Sequence, residues 1–194
     1  MLCGEVFATQ TALREAISTL EALGLVRAQP GKGVFVTRGR VRTSEELPLG
    51  PADLRPAVVF QFRAIVEPAA AALCARNASS TEIDALEAVQ TQMEDALRAL
   101  DLVAASDADL AFHLAIAAHA GNDMVSQVIR SLETPIAWSL RLPFADPDGA
   151  WAPAEEHRAV LRAIRARDAI AARTAMNHHL LRAAARIGIA FDSP

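Results

Sequence analysis

Asp107-Ala108-Asp109-Leu110-Ala111-Phe112-His113-Leu114-Ala115-Ile116-Ala117-Ala118-His119-Ala120-Gly121-Asn122 reads as one alanine-rich helix that stops at its own glycine and asparagine. Asp109 and His113 lie four residues apart in it. At about 100° per residue they sit roughly 40° apart and one turn above each other. A carboxylate and an imidazole stacked in that way can grip one cation, although the same spacing also serves ordinary helix-surface pairs. All five histidines (113, 119, 157, 178 and 179) fall in the second half of the chain, so the rest of that half decides between the two readings.

Outward from this stretch, the pattern from residue 53 onward is helical. The spacing of apolar residues predicts helices over Asp53–Arg76, Thr81–Leu100, Ser106–Ala120, Asp123–Leu142, Ala154–Ala166 and Asp168–Ile189. Ser79 and Glu82 have the spacing of a capping box, and Pro143 to Pro153 reads as a loop. Six or seven helices with short connections imply an all-α antiparallel bundle. In a bundle, His157 and His179 can converge on Asp109 and His113 from two further helices. Three imidazoles and one carboxylate suit Zn²⁺, with Ni²⁺, Mn²⁺ or Fe²⁺ as alternatives, because no thiolate is present to force zinc. His119 is about 120° round the helix from His113 and is left out. His179 is preferred to His178 because it lies nearer the buried side marked by Met176, Leu180 and Ala183. From the residues alone, scattered core and surface histidines remain the alternative.

The chain has 52% hydrophobic residues, 22% charged residues and few glycines, so it can bury a helical core and is not a disordered chain. Two cysteines, Cys3 and Cys74, cannot form a disulfide framework, and a reducing, cytoplasmic setting is expected. No secretory leader is visible, and no apolar run approaches the ~20 residues of a membrane span, so no membrane partner is expected. The net charge of -4 is unevenly spread: residues 1–42 carry +3 and the remainder -7. A basic head on an acidic body is what an anionic partner at one end would require.

The head begins with Thr9-Gln10-Thr11-Ala12-Leu13-Arg14-Glu15-Ala16-Ile17, a helix capped by Thr9, with Leu13, Ile17, Leu20 and Leu23 on one face. Gly24 stops it. Leu25-Val26-Arg27-Ala28 and Val34-Phe35-Val36 flank Pro30-Gly31-Lys32-Gly33 and read as a β-hairpin. Helix, turn and two-stranded ribbon is the order of a winged helix-turn-helix. These residues, with Leu20-Glu21-Ala22-Leu23-Gly24-Leu25-Val26, resemble the recognition helix and wing of the GntR family of bacterial transcription regulators. The resemblance implies that Thr9, Gln10, Thr11, Arg14, Gly31 and Lys32 meet operator DNA. Gln10 stands where the family has an arginine, which shifts the expected preference from guanine towards adenine. Eight residues precede Thr9, too few for the two preceding helices of the module, so the winged helix is expected to be truncated and its DNA binding impaired. The expected organisation is a partial winged helix over 1–40, a linker over 41–53 and the helical domain over 54–190.

A second resemblance covers most of residues 55–190. Phe62-Arg63-Ala64-Ile65-Val66-Glu67-Pro68, Asp109 to His113 with Gly121-Asn122, Glu156-His157-Arg158 and Asn177-His178-His179-Leu180 resemble the FCD effector domain of the FadR-type branch of the GntR family. It implies a divalent metal on Asp109, His113, His157 and His179, completed by a small carboxylate ligand, with Arg63 as the ligand's charged anchor. Glu67 and Glu156 are read as structural or surface groups, and Asn122 as serving the turn. The expected function is a ligand-responsive regulator acting as a homodimer on operator DNA. Two alternatives stand beside it: a metal- and metabolite-binding dimer without DNA binding, and a metalloenzyme acting on a small carboxylate. The chain is not expected to be an enzyme, since neither an H-E-x-x-H helix nor the paired E-x-x-H motifs of di-iron bundles is present.

Overall fold

A computed structural model describes residues 17, 26–29, 33–36, 55–141 and 151–191. The chain divides into two compact units, residues 1–44 and 45–194. In the first, strands β1 (Val26–Gln29) and β2 (Gly33–Val36) form an antiparallel hairpin with Val26 opposite Val36 and Gln29 opposite Gly33. Gly33 has φ +107°, a conformation that disfavours any side chain at this end of the ribbon. Ile17 is helical and half-buried. Thr9, Gln10, Thr11, Arg14, Gly31, Lys32 and the linker lie outside the described residues.

The second unit is a bundle of seven described helices: α1 (Pro56–Asn77), α2 (Ser80–Arg98), α3 (Leu102–Ala118), α4 (Asp123–Ser131), α5 (Glu133–Arg141), α6 (Trp151–Arg165) and α7 (Ala169–Arg186). The short turns between α2 and α3 and between α6 and α7 make two tightly packed antiparallel pairs. α1 packs chiefly on α7 and also touches α3, α5 and α6. Its buried face is built from Ala64, Ala70, Ala71, Cys74 and Ala75, whose small side chains let neighbouring backbones approach. Leu86, Phe112, Ile116, Ile164, Met176 and Leu180 fill the centre. α1 is long and apolar enough to cross a membrane, contrary to the expectation that no segment would be. More than half of that stretch is buried inside the bundle, and it carries the buried Arg63 and Glu67, so it is a core helix here.

The helix ends explain where expected and observed boundaries differ. Ser79 accepts from the backbone of Glu82 while Glu82 accepts from the backbone of Ser79, completing the capping box. Asp101 accepts from Ala104 N at 2.9 Å and starts α3 four residues before the expected Ser106. α6 begins at Trp151 and not at Ala154, because Pro153 sits in the first turn, where a missing N–H leaves no bond unmade. The single helix expected over Asp123–Leu142 is two, broken at Leu132. Pro135 is the cause: it cannot donate to residue 131 and its ring crowds that carbonyl, but it fits the first turn of a new helix. Arg167, in a left-handed conformation after α6, donates to the carbonyls of Ala75 and Ala78 and so closes the end of α1.

Gly121 ends α3 with φ +67°, and a Cβ there would lie 2.7 Å from Asn77 Nδ2. That amide is engaged with Ala120 O at 2.6 Å and ties the end of α1 to the end of α3. Gly121→Ala is expected to cost about 1–3 kcal/mol through backbone strain and the displaced amide, read from urea unfolding midpoints.

Candidate metal centre

Four helices deliver one polar cluster to the middle of the bundle. α3 supplies Asp109 and His113 on successive turns, α6 supplies His157, α7 supplies His179, and α1 adds Arg63 and Glu67. All six residues are at most 2% exposed. One donor atom from each of Asp109, His113, His157 and His179 can be chosen so that all lie within 4.8 Å of one another. His178 is exposed, and His119 pairs with Glu82 at the surface, 3.0 Å away.

The imidazoles share one orientation rule. Each Nδ1 faces outward to a protein group: His113 to Glu67 Oε2 at 2.7 Å, His157 to Gln90 Oε1 at 3.2 Å, and His179 to Glu156 Oε2 at 2.9 Å. The His113 contact lies off the N–H direction, so it is an ion pair more than an aligned hydrogen bond. Each Nε2 faces inward. His157 Nε2 and His113 Nε2 are 3.2 and 3.3 Å from Asp109 Oδ1, and His179 Nε2 is 3.3 Å from His113 Nε2. Phe112 stacks on His157 with ring centres 4.1 Å apart and an interplanar angle of 16°, fixing the plane of that ring.

Burial disfavours charge on all of these groups, and their mutual contacts decide the outcome. Burial would raise the Asp109 carboxyl, but the His113 and His157 imidazoles beside it hold it well below the usual carboxylate range. Glu67 behaves likewise: against burial, the Arg63 guanidinium and His113 bring it down to about 2. Burial and the neighbouring imidazoles keep His179 well below its ordinary value, and burial lowers His157. Of the three imidazoles only that of His113 moves up, because Glu67 and Asp109 outweigh its burial. Glu156 is pushed up by burial despite Arg186 beside it.

The donor set fits a divalent metal. Asp109 Oδ1 and His157 Nε2 are buried and have no hydrogen-bond partner, although they face each other. Bonds of about 2.0–2.2 Å to one ion would set adjacent donors about 2.9–3.5 Å apart, which matches the three contacts of 3.2–3.3 Å among the four residues. The outward partners are of the kind that would hold the imidazoles in the correct tautomer for a metal.

Arg63 borders the cluster with its charge already countered. Its Nε donates to Glu67 Oε1 at 2.8 Å, its Nη1 to Ser139 Oγ at 3.2 Å, and its Nη2 lies 3.1 Å from His113 Nε2. Of the reading of Glu67 and Glu156 as structural or surface groups, the surface alternative fails: Glu67 is buried, Glu156 half-buried, and each abuts an imidazole of the quartet. Sequence marked Glu67 only through its i, i+4 spacing from Arg63, and Gln90 not at all. Asn122 caps α4 through Met124 N and Val125 N and takes no part in the site.

The FCD domain profile matches residues 58–182, which include every member of the cluster. The chain belongs to the FCD-domain family of GntR-type regulators. It is 30% identical to the "Putative L-lactate dehydrogenase operon regulatory protein" of Escherichia coli K12, over 89% of this chain and 69% of that one. It is 25% identical to the "HTH-type transcriptional regulator LutR" of Bacillus subtilis, covering 81% of it, and 29% identical to the "Uxu operon regulator" of Haemophilus influenzae, covering 65%. Among solved structures, "Streptococcus agalactiae GntR" shares the fold with a TM-score of 0.62 at 23% identity, over 94% of this chain and 83% of that one. These curated relatives are transcription regulators, and the helical unit here is an effector domain of their kind.

Proposed function

We propose that the helical unit of this FCD protein senses a small monocarboxylate at a divalent cation held by Asp109, His113, His157 and His179, and that occupancy alters operator binding by the N-terminal unit of a cytoplasmic homodimer. The observation that carries this reading is the convergence of three Nε2 atoms and Asp109 Oδ1 on one buried point, each ring braced from outside. A bound cation, Zn²⁺ first and Ni²⁺, Mn²⁺ or Fe²⁺ otherwise, supplies a Lewis-acidic anchor for a carboxylate oxygen. Arg63 then provides the second grip, its guanidinium already beside His113 Nε2. Its engagement with Glu67 keeps it from being an uncompensated buried charge before the ligand arrives.

Charge favours a monoanion. Arg63 and Glu67 cancel, as do Arg186 and Glu156, and Asp109 leaves one positive charge on a divalent ion. A second carboxylate would enter a buried site with no cation to meet it. One relative carries an L-lactate dehydrogenase operon in its name, and lactate is such a monoanion. Ligand contacts from α1, α3, α6 and α7 would favour one arrangement of the bundle, and through the dimer one spacing of its DNA-reading units.

Calorimetric titration of the Zn²⁺-loaded protein with acetate, L-lactate and succinate tests this. Binding of the first two, at least about tenfold weaker (roughly 1.4 kcal/mol) for succinate and absent after chelation, is expected. Equal binding with and without metal would refute it.

A further inference from the structure

We propose that Gln90 sets the tautomer and orientation of His157, and so acts as a positioning residue of the metal centre. The inference rests on the reading of the quartet as a metal site. Gln90 is fully buried on α2. Its Nε2 lies 3.0 Å from the carbonyl oxygen of Ala154 and 3.0 Å from Glu94 Oε1. A carbonyl only accepts, and Glu94 is held as a carboxylate by Arg158 Nε at 2.6 Å, so both positions require a donor. The amide cannot be turned round, because its oxygen would then meet two oxygens. Oε1 is left facing His157 Nδ1 at 3.2 Å, and an acceptor there requires the ring proton on Nδ1.

The consequence falls on the other ring nitrogen. His157 Nε2 keeps its lone pair and faces Asp109 Oδ1 at 3.2 Å, with no hydrogen-bond partner for either atom. Two buried acceptors face each other, an arrangement that a shared cation relieves. The same amide also fixes where His157 stands. It holds α6 at the Ala154 carbonyl and at the imidazole three residues on, while Glu94, one turn along α2, holds Arg158. His113 and His179 lean on carboxylates instead. At His157 a neutral amide gives the same tautomer without a further negative charge.

Two variants test this. Gln90→Met keeps the length and removes the acceptor. Gln90→Glu combined with Glu94→Gln exchanges carboxylate and amide: it restores an acceptor opposite Nδ1 but leaves the Ala154 carbonyl without its donor. Nitrogen-15 NMR of histidine-labelled, metal-free protein is expected to show the His157 proton on Nδ1 in the parent, on Nε2 in the Met variant, and on Nδ1 again in the exchanged pair. Zn²⁺ affinity, read by competition with a chromophoric chelator, should fall about 10–100-fold in the Met variant and recover in part in the exchange, which restores the tautomer but not the bond to Ala154. Circular dichroism checks the fold, and the exchanged pair keeps the test decisive if Gln90→Met unfolds. A parent protein with the proton on Nε2, or a folded Met variant with unchanged tautomer and affinity, would overturn the proposal. A parent with Nδ1–H and no Zn²⁺ binding would refute the metal reading and still support the tautomer assignment.

Discussion

Stripping the cation from the helical unit with a chelator is expected to lower its melting temperature by roughly 8–16 °C. A ligand present at about a thousand times its Kd stabilises the folded state by about 4 kcal/mol, provided that it does not bind the unfolded chain. For a domain of this size each kcal/mol moves the midpoint by roughly 2–4 °C. The metal-free state carries an added cost here, because Asp109 Oδ1 and His157 Nε2 face each other buried and without a hydrogen-bond partner. His113→Ala and His157→Ala should each remove the metal-dependent part of the shift while leaving the helical circular dichroism intact. Scanning calorimetry with and without Zn²⁺ separates these outcomes. Equal midpoints for the parent with and without Zn²⁺ would show that the quartet holds no ion.

Glu67→Leu is expected to destabilise the bundle by about 3–5 kcal/mol, because it strands the Arg63 guanidinium in the core without its counter-charge. The loss reaches beyond the pair, since Glu67 also touches His113 Nδ1 at 2.7 Å. The double variant Arg63→Met/Glu67→Leu should recover much of that stability, as apolar pairs of similar volume often match a buried ion pair. Carboxylate binding should not recover with it, because the anchor is gone. Urea unfolding of both variants, beside calorimetric titration with acetate, tests the two halves. A Glu67→Leu variant as stable as the parent would mean that Arg63 finds another partner.

The parts of this molecule that were legible in sequence are those written within one helix. Asp109 and His113 share a face through their i, i+4 spacing, and Ser79 and Glu82 announce their capping box in the same local way. His157 carries no local signal and His179 only its place near the buried side marked by Met176, Leu180 and Ala183; both are tied to that pair by resemblance and by the general habit of bundles to point ligands inward. The groups that brace them were not legible, because Gln90 meets His157 across 67 positions and Glu156 meets His179 across 23. Glu67 shows the limit well. Its spacing from Arg63 marks an ion pair, but an exposed and a buried pair look alike in sequence, and only burial makes this one decisive. The break at Leu132 had a signal in Pro135, which the apolar periodicity over Asp123–Leu142 masked.

The central claim is that one divalent cation sits on these four side chains. X-ray absorption at the metal edge of the Zn²⁺-reconstituted protein tests it most directly. The expected result is about one ion per chain, with nitrogen and oxygen neighbours at about 2.0–2.2 Å and outer-shell scattering from three imidazoles, lost in His157→Ala. An ion with only oxygen neighbours and no imidazole scattering, or one unaffected by His157→Ala, would contradict it.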